Sequence, residues 1–465
     1  MALFIFRRDL RLADNIGLLA SLASDKPIYP IFIFNPEQIN PSQNPFFSHN
    51  SVQFMCESLE DLRTQTEDKF TFLHGHNVDV LTFLLSPQSP VPIEEVHFNM
   101  DYSGYSQRRD AVLAKLVLEA GKRCYMHEDI GLFPMNTVTT SGGKGYNKFT
   151  PFYTKLSAKP VPKPELNVTK IKSRLKAIPH CQYTFVPSRL NTLYKPNKDI
   201  LVHGGRRLGL AILDKLRQTV GHYQQTHDQP MYATTHLSAY LKYGCVSARE
   251  AYHAMRDHLP PSASRPLIRQ LFWREFYLGI AYQYPDMMLK RTPQKPSYAA
   301  IKWSGSDAHF QRWCEAKTGY PIVDAAMREM AVTGYMHNRC RLIVSGFLIK
   351  TLLVDWRKGE QFFAQSLVDY DFANNNGGWQ WSAGSGTDSQ PYFRIFNPWA
   401  QSAKFDSEGL YIKRWLPELN DVAVKDLHQW DVAHDKYPAL KGKYPAPIVD
   451  YAEQKQKALA MYRKI

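Results

Sequence analysis

Between Asp369 and Trp381 the chain sets two carboxylates, the amides Asn374, Asn375 and Asn376, a Gly377-Gly378 pair, Gln380 and the indoles of Trp379 and Trp381 close together. Carboxylates orient and charge-balance polar groups, and amides both donate and accept hydrogen bonds. A glycine pair lets backbone approach a ligand, and indoles offer flat apolar faces. The mixture describes the wall of a pocket for a flat polar ring. Arg341 supplies a cation that can pair with one of the acids, although Arg-Asp pairs in helical cores are commonly structural. Upstream, Thr234, Thr235 and Ser238 put hydroxyls and backbone donors at a predicted helix start, a chemistry suited to an anionic group such as a diphosphate.

Such residues need rigid elements to hold them. Residues 2 to about 130 alternate short apolar runs, predicted as strands over 2–6, 28–34, 70–73 and 95–99, with amphipathic segments over 51–63 and 107–120. That alternation predicts an α/β domain over 1–130 with a parallel, Rossmann-like sheet. Such sheets hold ligands at the carboxyl ends of their strands. Arg7, Arg8 and Arg11, just past the first strand, are expected in salt bridges or facing a ligand or a second domain. Over 131–200 the pattern loosens, with Ser-Gly-Gly-Lys-Gly at 141 to 145 and Pro160, Pro162 and Pro164 in succession, which predicts an interdomain linker. Over 201–465 the apolar residues recur at helical spacing, as in Leu267, Leu271, Phe272, Phe276 and Ile280, predicting an all-α domain. The pocket residues all lie in this second half.

A chain of 465 residues can bury the cores of two or three domains and is not a single small module. Its 57 Lys and Arg against 43 Asp and Glu leave a net charge of +14, which suits an anionic partner such as nucleic acid. The six cysteines form no C-x-x-C pair and no cluster with His, so free thiols in a reducing compartment are expected, and no metal site. No apolar run approaches the length of a membrane span. The first residues place their charges after a very short apolar run, the reverse of a secretory signal. An intracellular location is expected, in the cytoplasm or, in a eukaryote, the nucleus.

Several segments, in order along the chain, resemble the DNA photolyase and cryptochrome family. They are Phe4-Ile-Phe-Arg-Arg-Asp-Leu-Arg-Leu-Ala-Asp-Asn15, Tyr232 to Gly244, Leu271-Phe-Trp-Arg-Glu-Phe-Tyr277, Lys317 to Arg328 with Gly334 to Arg341, and Asp369 to Pro398. The last is similar to the family's flavin-cradling signature. The resemblance is closest to class I cyclobutane pyrimidine dimer photolyases and implies FAD in the helical domain. It assigns Thr234, Thr235, His236, Leu237 and Ser238 to the FAD phosphates with Tyr223 nearby, and Gln270, Arg274, Asn338, Arg341, Asp369, Asp371 and Asn375 to the cofactor site. Arg341 and Asp369 resemble the family's ion pair beside the isoalloxazine, and Asn375 the residue facing flavin N5. Trp379, Trp356 and Trp303 fall at the positions of the family's electron-transfer tryptophans. Trp273 and Trp381 match its two base-stacking indoles, with Leu342, Arg339, Arg394, Gln401 and Lys404 at or near its DNA contacts. The implied activity is that of a light-dependent carbon–carbon lyase on UV-damaged DNA carrying pyrimidine dimers, acting as a monomer.

The sequence departs from that pattern in places. Gln270 stands where close bacterial relatives carry a Glu that hydrogen-bonds the dimer, Leu342 where they carry Met, and His236 where they often carry Arg. The (6-4) photolyases also have Gln at the first of these positions, but they use two histidines whose places are taken here by Asn338 and Leu342. Cyclobutane-dimer repair is therefore the leading expectation. A cryptochrome-type light receptor and a (6-4) enzyme are the alternatives, in that order. Tyr105 and Ser106 replace the Asn-Glu of folate-binding relatives. A second, antenna chromophore, if bound, is expected to be of deazaflavin, FMN or folate type, the local sequence being closer to relatives that use a deazaflavin or a second flavin.

Overall fold

Apolar runs buried on both faces are what a parallel sheet covered by helices requires. The computed structural model describes residues 1–389 and 391–465, without the side chain of Met288. Strands β1 (Ala2–Phe6) and β2 (Ile28–Phe34) are buried at every residue. They are joined by β3 (Thr71–His74), β4 (Glu95–Asn99) and β5 (Arg123–His127). The five strands are parallel in the order β3-β2-β1-β4-β5, with Ile5 opposite both Ile31 and Phe98. Strand β5 is the element the apolar pattern does not show. Its Arg-Cys-Tyr-Met-His sequence sits half-exposed at the sheet edge, where no continuous apolar run is needed. Strand order reverses between β1 and β4, so the loops after them flank the crevice where such sheets bind ligands. Helices α1 (His49–Gln65) and α2 (Gly104–Glu119) start at Ser48 and Ser103, whose side chains accept from the backbone N–H of Ser51 and Ser106.

The connection after β5 is not loose. It forms helix α3 (Phe149–Leu156) and then lies along the sheet, with Leu175 bridged beside Ile28 and Thr184 beside Leu73. Buried Ile171, Leu175 and Phe185 hold it there.

In the second half the principal helices are α4 (Pro261–Gln283), α5 (Asn338–Lys350), α6 (Trp356–Ser366), α7 (Phe372–Ala383) and α8 (Tyr451–Tyr462). Helix α7 carries the Asn-Asn-Asn-Gly-Gly run, a composition of low helix propensity. Its ends are well defined: the Asp371 carboxylate accepts from the Asn374 N–H, and Gly384 closes the helix at a left-handed φ of 80°. It packs against α4, α5 and α6. Two glycines permit the close approaches. A Cβ on Gly377 would stand 2.3 Å from the Tyr277 ring, and one on Gly359 of α6 2.2 Å from the Trp379 ring. Phe4 and Phe6 of the sheet share one core with Leu267 and Phe276 of α4, while Trp356 and Trp379 lie in a second core within the helical half. Among the described residues no helix is long and apolar enough to cross a membrane, and no group of His, Cys, Asp and Glu is placed to hold a metal.

Candidate functional site

A cavity of about 570 Å³ opens where α4, α5 and α7 meet the short helix Ser238–Lys242. Its size is that of a site for a small molecule or cofactor. The resemblance-based site residues Tyr223, Thr234, Thr235, Leu237, Ser238, Gln270, Trp273, Arg274, Asn338, Arg341, Leu342, Asp369, Asp371, Asn375, Trp379 and Trp381 all line it.

The floor is a network of buried charge. Arg341 reaches both oxygens of Asp369 from one Nη2, at 3.0 and 2.9 Å, and its Nε donates to the Met336 carbonyl. Burial alone would lower the Arg341 pKa, but Asp369 raises it above the ordinary value, so the guanidinium stays charged. Asp371 pairs with Arg8, which arrives from the loop after β1 and also bonds Asp101 at 3.1 Å and the Lys242 carbonyl at 3.0 Å. Burial would raise the Asp371 pKa, yet Arg8, then Arg274, and the Asn374 amides hold it well below the usual carboxylate range. Of the three arginines after β1, Arg8 alone joins this network. Arg7 bonds Asp110 at 2.6 Å, and Arg11 bonds Asp129 and the Gly244 carbonyl, the latter a tie between the two halves of the chain.

Two groups of the floor have no mark in the sequence. Lys242 lines the cavity, donates to Ser51 Oγ at 2.5 Å and to the Tyr243 hydroxyl at 3.1 Å, and has no carboxylate in salt-bridge range among the described residues. Burial, helped by nearby Arg8, pushes its ammonium down to about 7. Glu360 is fully buried on α6, with Arg291 at 2.9 Å, and accepts from Asn375 Nδ2 at 3.2 Å through both its carboxylate and its backbone carbonyl. Burial raises the Glu360 pKa. The Asn375 amide nitrogen is thus committed, which leaves its carbonyl oxygen for a donor in the cavity.

Hydroxyls converge at the other end, where Ser238 Oγ lies 3.3 Å from the Tyr335 hydroxyl and the Leu237 N–H meets Thr235 Oγ1 at 3.4 Å. The helix that starts at Ser238 has five residues, so hydroxyls and free N–H groups rather than a long helix dipole carry this end. His236 does not line the cavity. At a left-handed φ of 52° it packs edge-on to Tyr335, 5.0 Å away, and burial lowers its pKa. It therefore brings no fixed cation to this end.

Trp379 borders the cavity at 2% exposure, Trp356 is buried at the start of α6, and half-buried Trp303 packs on the same core. The three indoles thus belong to one hydrophobic cluster, Trp303 being the more exposed member. At the mouth stand Trp273, Trp381, Leu342 and Gln270, the last with its amide turned back on the Pro266 carbonyl. Arg339, Arg394, Gln401 and Lys404 do not line the cavity: Arg394 and Lys404 are exposed, Gln401 is half-buried, and Arg339 pairs at 2.6 Å with the cavity-lining Asp228 while stacking over Phe405.

A match to the family model for the FAD binding domain of DNA photolyase covers residues 267–464, and the DNA photolyase model matches residues 2–167. The chain is 35% identical to the deoxyribodipyrimidine photo-lyase of a Synechococcus species, covering all of this chain and 96% of that protein. The chain belongs to the DNA photolyase family. A photolyase-family chain from Escherichia coli, also a deoxyribodipyrimidine photo-lyase, is 34% identical over 98% of this chain and 97% of its own length. Among solved structures, the archaeal photolyase from Sulfolobus tokodaii, described with two FAD molecules, matches with a TM-score of 0.86 at 34% identity, each chain fully covered. A class III photolyase from Agrobacterium tumefaciens gives 0.89 at 31% identity, covering all of this chain and 97% of that one. The residues of the cavity fit FAD: a cation, acids and amides can meet the polar edge of a flavin, and hydroxyls and backbone donors can meet a diphosphate.

Proposed function

We propose that this protein repairs UV-damaged DNA by splitting cyclobutane pyrimidine dimers with light, and that it does so as a class I type photolyase. The observation that carries the reading is the joining, in one cavity, of a floor suited to FAD with a mouth framed by Trp273 and Trp381. Reduced FAD bound there would supply, on excitation by blue or near-UV light, the electron that opens the dimer. Arg341 and Asp369 would fix the charge beside the ring, Asp371 would orient the ribityl end, and Glu360 would hold Asn375 with its carbonyl toward the cofactor. A flipped-out lesion would stack on the two indoles, with Gln270 and Leu342 against its edge. Trp379, Trp356 and Trp303 would carry electrons inward when the cofactor is oxidised. Exposed Arg394 and Lys404 would meet phosphates, with Gln401 and Arg339 beside them. A (6-4) reading lacks the required histidines, since Asn338 and Leu342 stand at those places.

A second chromophore is supported at the carboxyl ends of β1, β2 and β4. There Tyr105 bonds Asn35 at 3.0 Å, and Arg7 Nη2, Arg109 Nη2 and Asp110 Oδ2 are buried without hydrogen-bond partners.

The test is anaerobic blue-light repair of an oligonucleotide carrying one cyclobutane thymine dimer, with the flavin reduced beforehand and a (6-4) oligonucleotide in parallel. Restoration of the cyclobutane dimer alone supports the proposal. Repair of neither, with photoreduction intact, would turn the reading to a cryptochrome-type receptor, the alternative that Gln270 and Leu342 favour.

A further inference from the structure

The linker touches the mouth of the cavity from behind. The ring of Phe149, the first residue of α3, lies 3.6 Å from that of Trp273 with the planes 5° apart. Phe149 is 1% exposed. Arg269, one turn before Trp273 on α4, stands 5.3 Å from the centre of the Phe149 ring, and Tyr153 stacks on that ring at 5.6 Å and 18°. Aromatic pairs prefer offset or edge-on contact to a face-to-face sandwich. Phe149 follows that preference with Phe276, which it meets at 83°. Its parallel contact with Trp273 departs from that preference, and its effect is to set the plane of an indole that borders the cavity.

The same residue reaches the other side of the mouth. The backbone N–H of Phe149 donates to Asp388 Oδ2 at 3.2 Å. Asp388 lies in the loop that leaves α7 after Trp381, at a left-handed φ of 50°, which Asp adopts more readily than most non-glycine residues. Lys295 secures the loop from a second direction, with Nζ 2.8 Å from the Gly384 carbonyl and 2.7 Å from Ser389 Oγ.

We infer that Phe149 is a positioning residue for lesion capture: through its ring it fixes Trp273, and through its amide it fixes the segment that follows Trp381, so that the gap between the two indoles is set before DNA arrives. This rests on the dimer-splitting reading. A slot already at the width of a stacked lesion spares binding the entropy of ordering two large side chains, and undamaged duplex, which does not enter the slot, gains nothing from it.

The experiment compares flavin-loaded wild type, Phe149→Met and Phe149→Tyr for dissociation constants on a duplex with one cyclobutane dimer and on the same duplex undamaged. Methionine keeps apolar bulk without a flat face, so Phe149→Met should weaken dimer binding about tenfold and undamaged binding less than about twofold, while Phe149→Tyr stays near wild type on both. Asp388→Asn, which weakens the tie to the loop, should lower the damaged-to-undamaged ratio about threefold and decides the matter if Phe149→Met loses its flavin. A ratio unchanged in Phe149→Met, or in Asp388→Asn where that variant decides, overturns the inference, as does an equal loss on both duplexes. A wild type with no preference for the damaged duplex would instead overturn the dimer-splitting reading itself.

Discussion

The floor and the mouth of the cavity are built on opposite rules. In the floor most charges have a fixed partner: Arg341 with Asp369, Arg8 with Asp371, Arg291 with Glu360. At the mouth the large side chains are the indoles of Trp273 and Trp381, and the exposed Arg394 and Lys404, outside the cavity lining, have no carboxylate within salt-bridge range among the described residues. A buried charge without its partner is costly, so the floor must be complete before any ligand arrives. Exposed cations cost little to leave waiting, and their worth appears only when phosphates release counterions. On the proposed function, the difference separates a part that holds one cofactor from a part that meets DNA.

Breaking the floor should have the largest effect. Asp369→Ala leaves the Arg341 guanidinium without its carboxylate, and a loss of roughly 3–5 kcal/mol is expected. Thermal melting and flavin absorbance of the purified protein would check this, and a variant with wild-type melting and full flavin would show that the pair is dispensable. At the mouth, Trp273→Ala or Trp381→Ala should cost about 1–3 kcal/mol of affinity for dimer-containing DNA while flavin content stays at the wild-type level. Loss of flavin in either variant would erase the line drawn between floor and mouth.

Lys242 tests a floor cation without a carboxylate partner among the described residues. Its folded pKa, about 7, lies below the usual lysine value, so the folded state binds fewer protons than the unfolded state between those two values. The destabilisation from burying the ammonium is full below about 7 and fades as pH rises toward the ordinary lysine range. Lys242→Met should therefore raise the melting temperature of flavin-free protein more at pH 6 than at pH 9. An equal gain at both values would place the charge elsewhere. The smallest effect is expected from Lys404→Gln: a uniform weakening on damaged and undamaged DNA, with the salt slope of binding reduced by about one.

Most of the sheet can be read from the chain because β1 and β2 are buried on both faces and continuously apolar, while β4 keeps Val96 and Phe98 between buried polar residues. Strand β5 escapes the pattern because an edge strand need not be. Helix α7 reads as the wall of a ligand pocket but not as a helix, since its Asn and Gly residues form one only through the Asp371 cap and the packing of Tyr277 and Trp379 around Gly377 and Gly359. Asp369, Asp371 and Asn375 were legible by resemblance. Lys242 and Glu360 were not, because what marks them is a location: each sits on an ordinary helix and becomes chemical only when a distant segment closes over it. His236 shows the converse, a residue adjacent in sequence to the hydroxyl cluster but turned onto Tyr335 by a left-handed backbone.

Arg8 gives the arrangement a further meaning. The guanidinium that neutralises Asp371 in the cofactor cavity is carried by the loop after β1, in the other domain. Cut away from its sheet, the helical half would leave that buried carboxylate with only Arg274 and the Asn374 amides to balance it, and a sheet grafted from elsewhere would have to bring a cation to the same point. The two halves are therefore matched parts, and the sheet domain cannot be exchanged as a module without answering for the charge of the cavity floor.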